Sequence, residues 1–315
     1  MTRPSPAELD ARIRSSEQQA YAAYGVTGTE RMVTVDSGAG PVRVRVMEFG
    51  APNDRPTVLL LHGIASASVL AAPLLGFLRD RHVVALDWPG HGLSDPCLLA
   101  PSLDLRVHVA AVLRSVLDGL DAAEVDVVGH SLGAQIALYA SLDLGPRVRR
   151  VVLLGAPGAA FEGVKPVPVM RVLALPKVGP RVLSIPMSDR QFQRNNDLAL
   201  GAGALRHADP ALVATLKLIG ARTGNAASIA GFFHALVRWS VRPSVQLDTD
   251  ALARIRQPVL LVWGDDDVFQ RPVAAARSIV SIPDSRLVRI AGAGHAPWLQ
   301  ALDRTGAAIG EHLAA

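Results

Sequence analysis

Val125-Asp126-Val127-Val128-Gly129-His130-Ser131-Leu132-Gly133-Ala134-Gln135 is the stretch that decides how the chain is read. A β-branched run ends in a glycine, and a small-residue helical pattern starts directly after Ser131. This predicts a strand, a sharp turn and a helix, with a serine at the apex. Gly129 and Gly133 meet a physical need: the serine backbone is strained, and bulky neighbours two positions away would collide with the strand and helix packing. In that context the pattern is a nucleophile elbow; without it, the same five residues are a chance glycine-rich turn.

At 315 residues, half of them hydrophobic and 19% charged, the chain can bury a large core and is not expected to be disordered. Its length suits a single α/β core with an insertion. The formal charge of +4 is a weak basic excess, and with no Lys/Arg block and 4% aromatic residues it gives no support for nucleic-acid binding. Cys97 is the only cysteine, so no intrachain disulfide forms, as suits a reducing cytoplasm. Met1-Thr2-Arg3-Pro4-Ser5-Pro6 leads into charged residues instead of an apolar core, against a signal peptide. The uncharged run from Gly63 to Leu78 is too short, and too rich in Ser, Gly and Pro, for a membrane span. A cytoplasmic protein is the expectation.

Outward from the elbow, Pro6 to Tyr24 has a helical period. Met32–Val35 and Val42–Val46 alternate around a Ser37-Gly38-Ala39-Gly40 turn, as in an antiparallel edge hairpin. Thr57–Leu61 and Val83–Leu86 are short apolar runs of the kind buried in parallel sheets, and further strands are expected at Arg150–Leu154, Val259–Trp263 and Leu287–Ile290. Helical patterns separate them at Ser66–Arg79 and Leu103–Leu120. The expected fold class is α/β: a doubly wound, mostly parallel sheet with a helical cap inserted between the sixth and seventh strands. The expected domains are a leader over 1–31, a core over 32–157 and 257–315, and an insert over 158–256. Inside the insert, helices are expected near Ala211–Gly220 and Ser228–Trp239, beside proline-punctuated apolar pieces.

A serine hydroxyl needs a base to take its proton and a third group to orient that base. In an open α/β sheet these belong at the carboxyl ends of strands. Trp263-Gly264-Asp265-Asp266-Asp267 follows one strand and Gly292-Ala293-Gly294-His295 follows the last, giving the order serine, aspartate, histidine.

With these motifs the chain resembles the α/β-hydrolase superfamily, in its capped, esterase-like form. The likeness rests on Leu60-Leu61-His62-Gly63, Asp87-Trp88-Pro89-Gly90-His91-Gly92-Leu93-Ser94, Gly129-His130-Ser131-Leu132-Gly133, Trp263-Gly264-x-x-Asp267 and Gly294-His295. It implies Ser131 as nucleophile, His295 as base and Asp267 as acid, with Asp265 and Asp266 as loop or capping residues. Backbone N–H groups of Leu132 and Ile64 would form the oxyanion hole. One departure is that Ile64 to Ala71 lacks the aromatic residue many capped relatives carry there.

No cofactor and no metal are expected, because the three aspartates lack an alternating D-x-D-x-D-G loop and further ligands. His62 and His91 read as structural, His130 as lining the site or packing under the insert, and Cys97 as a packing thiol. His207 and His234 read as surface or hydrogen-bonded structural residues. An apolar insert implies a hydrophobic small-molecule substrate.

The leading expectation is therefore hydrolysis of a carboxylic ester, lactone or thioester through an acyl-enzyme on Ser131. C–C bond hydrolysis of a diketone-type substrate or cofactor-free perhydrolysis would use the same triad. A non-catalytic ligand receptor on this fold is the alternative from another class, and an aspartate-nucleophile chemistry is disfavoured by serine at 131.

Overall fold

In the computed structural model, which describes residues 4–100 and 103–315, the apolar runs become the inside of one sheet. Met1, Thr2 and Arg3, where the reading against a signal peptide begins, lie outside the described residues. The strands are β1 (Gly28–Asp36), β2 (Pro41–Phe49), β3 (Thr57–Leu61), β4 (Val83–Leu86), β5 (Val125–His130), β6 (Val148–Leu154), β7 (Val259–Gly264) and β8 (Ser285–Ile290). Across the sheet the order is β1-β2-β4-β3-β5-β6-β7-β8. β1 pairs antiparallel with β2, and β2 with β4; all later pairs are parallel. Every residue of β4, β5 and β7 is buried, as strands covered on both faces require, the buried Asp126 of β5 being paired with Arg81 and Arg149.

The helices are α1 (Pro6–Ala23), α2 (Ala72–Leu75), α3 (Leu105–Gly119), α4 (Leu132–Asp143), α5 (Pro168–Leu173), α6 (Gly179–Leu183), α7 (Asp189–Leu200), α8 (Pro210–Gly220), α9 (Ala226–Leu236), α10 (Thr249–Leu252), α11 (Ala276–Val280) and α12 (Leu302–Ala314). One face of the sheet, with Leu59, Val127 and Leu261, packs with α3 and α4. The other, with Leu60, Val128 and Leu260, packs with α2 and α12. The sheet is thus wound on both sides.

Two local expectations are changed. Over Ser66–Arg79 only a 3-10 turn, Ser68–Ala71, and the four residues of α2 are helical. The proline-punctuated pieces after β6 fold as two short helices, α5 and α6, each with proline in its first turn, where no N–H is needed.

The leader α1 starts at a Ser5/Glu8 capping box with Pro6 in its first turn. Its buried face is Ile13, Glu17, Ala20 and Tyr21. Glu17 sits there because Arg45 of β2, itself buried, meets it at 2.6 Å; the same guanidinium reaches Glu30 at 3.1 Å and Asp87 at 3.2 Å. α1 also holds α8, through Ser16 and Thr215 hydroxyls 2.7 Å apart and an Arg222–Asp10 pair at 2.8 Å. Burial pushes the Glu17 carboxyl up to about 7, against the pull of Arg45. Burial would also raise Asp87, but Arg45, His62 and the N–H groups of Leu93 and Ser68 together outweigh it and leave Asp87 below the ordinary carboxylate range.

The folded state thus holds the Glu17 proton more tightly than the unfolded chain, with its ordinary 4.5, does. That stability is fully present below pH 4.5 and is lost as pH rises through about 7. Thermal unfolding from pH 5 to 8 should therefore show wild type losing up to about 3 kcal/mol relative to Glu17→Gln. Parallel pH curves for the two proteins would contradict this.

Candidate active site

Ser131 lies between β5 and α4 with φ 54° and ψ −115°, a strained conformation for a residue with a side chain. Two glycines make room for it. A Cβ on Gly129 would overlap the carbonyl of Gly133, and one on Gly133 would overlap the carbonyl of Leu61. Gly63, in the loop after β3, comes so close that a Cβ there would lie 3.1 Å from Ser131 Cβ. The Ser131 carbonyl accepts from Ala134 N at 3.0 Å and Gln135 N at 3.1 Å, starting α4. The N–H of Leu132 belongs to the first turn, where a helix offers no acceptor. Neither it nor the N–H of Ile64 has a hydrogen-bond acceptor among the described residues.

The loops after β7 and β8 bring Asp267 and His295 together. Asp267 Oδ2 accepts from His295 Nδ1 at 2.7 Å, from Ala156 N at 2.9 Å and from Trp263 Nε1 at 3.1 Å; Oδ1 accepts from Phe269 N at 3.0 Å. Burial alone would raise this carboxyl, but His295 and these N–H donors outweigh it, and its pKa stands below the ordinary value. Because Nδ1 carries the proton toward Asp267, the Nε2 lone pair of His295 is free, and Nε2 has no partner among the described residues. No hydrogen bond links it to Ser131 Oγ, a contact that often tightens only around substrate. The neighbouring aspartates turn elsewhere: Asp265 pairs with Arg289 at 2.7 Å, and the exposed Asp266 lies 3.9 Å from Arg271.

His62 accepts from Trp88 N at 3.0 Å through Nε2 and turns Nδ1 to the Gly63 carbonyl at 2.7 Å. It thereby shapes the loop that carries Ile64. His91 is buried beside it, and burial, with His62 next, pushes its pKa down to about 3. His130 packs behind His295, its ring 4.8 Å from that imidazole and 4.7 Å from Trp298, with Nε2 3.2 Å from the His295 carbonyl. Cys97 is buried, its thiol pushed up by burial. His207 is a surface residue, and His234 bonds the Ala174 carbonyl at 3.0 Å.

The segment between β6 and β7 touches the loops at both ends of this row. Leu200 O, at the end of α7, accepts from Ala296 N at 2.9 Å, and Gln300 reaches Gly294 N at 2.8 Å and Ala202 O at 3.2 Å. Farther along the row, Asn225 donates to Gly92 O at 3.1 Å and Ser228 Oγ accepts from Cys97 N at 2.9 Å.

Two contributors escaped the sequence reading. Trp263 was visible only as part of a motif, yet its indole N–H holds Asp267. Gly155, following β6, has φ 67°, and a Cβ there would overlap the His295 carbonyl and lie 2.9 Å from its Nδ1. A glycine directly after a buried strand was the available signal.

A model of the alpha/beta hydrolase family matches residues 58–308. An uncharacterized protein of Mycobacterium tuberculosis is 30% identical over 79% of this chain and 73% of its own length. A 2-hydroxy-6-oxononadienedioate/2-hydroxy-6-oxononatrienedioate hydrolase of Cupriavidus pinatubonensis is 28% identical over 87% of this chain and 90% of its own. Among solved structures, carboxylesterase CesB from Bacillus subtilis superposes with a TM-score of 0.73 at 19% identity, covering 97% of this chain and 98% of its own.

Gly155→Ala should cost about 2–4 kcal/mol, since it combines a left-handed backbone with a clash against His295. Denaturant unfolding measures this, and an unchanged midpoint would show that the loop yields freely.

Proposed function

The chain belongs to the alpha/beta hydrolase family, and on that premise we propose that it is a serine hydrolase cleaving a carboxylic ester of a hydrophobic small molecule. The observation that carries this is the 2.7 Å Asp267–His295 bond, which leaves the His295 Nε2 lone pair unoccupied. Ser131 Oγ attacks the ester carbonyl as its proton passes to Nε2, and Asp267 stabilises the imidazolium. The N–H groups of Leu132 and Ile64 face the oxygen that becomes negative. Collapse of the tetrahedral intermediate expels the alcohol, which takes the proton from Nε2. A water then gives its proton to Nε2 and attacks the acyl carbon, releasing the acid and Ser131. The segment over 158–256 acts as a cap, and the apolar side chains it buries, among them Phe232, Phe233 and Leu236, support a hydrophobic acyl or alcohol group.

C–C bond hydrolysis of a diketone-type substrate is a second reading. It draws on the relative named for hydrolysis of an oxo-dienedioate, and it would use the same three side chains.

A fluorophosphonate probe should label Ser131 and leave Ser131→Ala unlabelled, read by mass spectrometry of the peptide. Folded wild type that stays unlabelled would point to a ligand receptor instead. On p-nitrophenyl esters, Asp267→Asn should lower kcat/KM by about 10⁴-fold, and Asp265→Asn and Asp266→Asn should stay within about threefold of wild type. Longer acyl chains should react faster than acetate; cleavage of a dienone with no turnover of any ester would favour the second reading.

A further inference from the structure

The chain's charge is unevenly distributed. Residues 158–256 hold thirteen Lys/Arg and six Asp/Glu, a net of +7, and the remaining sequence is net −3. The basic excess that looks weak over the whole chain is therefore concentrated in the segment between β6 and β7. From Gly163 to Ser188 there are four cations and no carboxylate, and none of the four lies within 4 Å of a carboxylate among the described residues.

One corner of this segment combines that charge with exposed apolar side chains. α5 and α6 form a hairpin, Gly179 fitting against the Leu173 carbonyl, and its turn carries Leu175, Lys177 and Val178. After α9 a second tight turn, closed by the Val237–Val241 bridge and Arg238 N to Ser240 O at 2.9 Å, presents Trp239. His234 joins the two turns: Nδ1 lies 3.0 Å from the Ala174 carbonyl and Nε2 3.0 Å from Arg242 Nη2. Trp239 is 86% exposed, Leu175 50% and Val178 40%. Neither Arg238 nor Arg242 has a carboxylate within 4 Å among the described residues.

We propose that this corner docks on an anionic lipid bilayer, with Trp239, Leu175 and Val178 entering the boundary between headgroups and acyl chains while Lys177 and Arg238 meet lipid phosphates. Indole at headgroup depth, short aliphatic tips and cations without carboxylate partners on adjoining turns are what an interfacial contact requires. A nucleic-acid site would instead need a basic groove with several stacking rings, and this corner has one exposed aromatic ring, on a tight turn. The described residues contain no helix long and apolar enough to cross a membrane, so the contact is peripheral. The proposal does not depend on the chemistry at Ser131.

Trp239 supplies its own reporter, because Trp88, Trp263 and Trp298 are buried at 2%, 0% and 1% exposure. With the full chain, co-sedimentation is measured against vesicles of phosphatidylcholine alone and of phosphatidylcholine containing about a quarter phosphatidylglycerol. Binding to the anionic vesicles, with a blue shift of tryptophan emission, is expected. It should weaken at least about tenfold in about 0.5 M salt and in Lys177→Glu/Arg238→Glu. Trp239→Ala should lose the blue shift, and Ser131→Ala should bind as wild type does. Circular dichroism of the surface variants checks their fold. Four results would overturn the proposal: no binding to anionic vesicles, equal binding to neutral ones, bound protein whose emission does not move, or capture of a single-stranded oligonucleotide by protein that ignores vesicles.

Discussion

The backbone of Ser131 can stay strained because glycines make room for it on the sides where neighbouring backbone comes close. Gly129 and Gly133 flank the serine at the end of β5, Gly63 follows β3 and Gly155 follows β6, and at each a Cβ would meet backbone or the side chains of His130, Ser131, Asp267 or His295. A positive φ of this kind costs about 1–3 kcal/mol. It is held by position: β5 lies between β3 and β6, buried throughout, so the turn cannot relax without breaking the middle of the sheet.

Charge around the serine is arranged by the same packing. His62, His91 and His130 are all pushed toward the neutral form by burial, which keeps positive charge away from His295 near neutral pH. Asp267 is the opposite case, kept ionised by four N–H donors despite its burial. A second buried carboxylate, Asp87, accepts from Ser68 N at 2.8 Å and Leu93 N at 3.0 Å. Through it Arg45 connects the leader to the loop that carries Ile64.

The fold was legible where burial is two-sided. Thr57–Leu61 and Val83–Leu86 read as parallel strands and occur at those residues, since an apolar run bounded by turns has few other uses. Ser66–Arg79 misled because its apolar residues serve a turn packed on the core, and periodicity in so short a window does not separate a helix from a buried turn. At the site, Ser131, Asp267 and His295 stood in motifs of fixed spacing, and Trp263 stood in the same motif as Asp267 with no sign that its indole would hold the carboxylate. Gly155 stood in none, because its role depends on strand ends meeting in space. Trp239 read as the end of a helix from Ser228, but α9 stops at Leu236 and the residue sits on an exposed turn, which helical periodicity does not foretell.

The leader has a consequence for the order in which the chain can be completed. α1 is made early, yet Arg222, which pairs with Asp10, follows it by 212 residues. At a synthesis rate of about 5–20 residues per second, α1 waits roughly 10–40 s for that partner. An ionisable Glu17 on its inward face keeps that face soluble in the interval, and it gains its buried partner when α1 docks over Arg45.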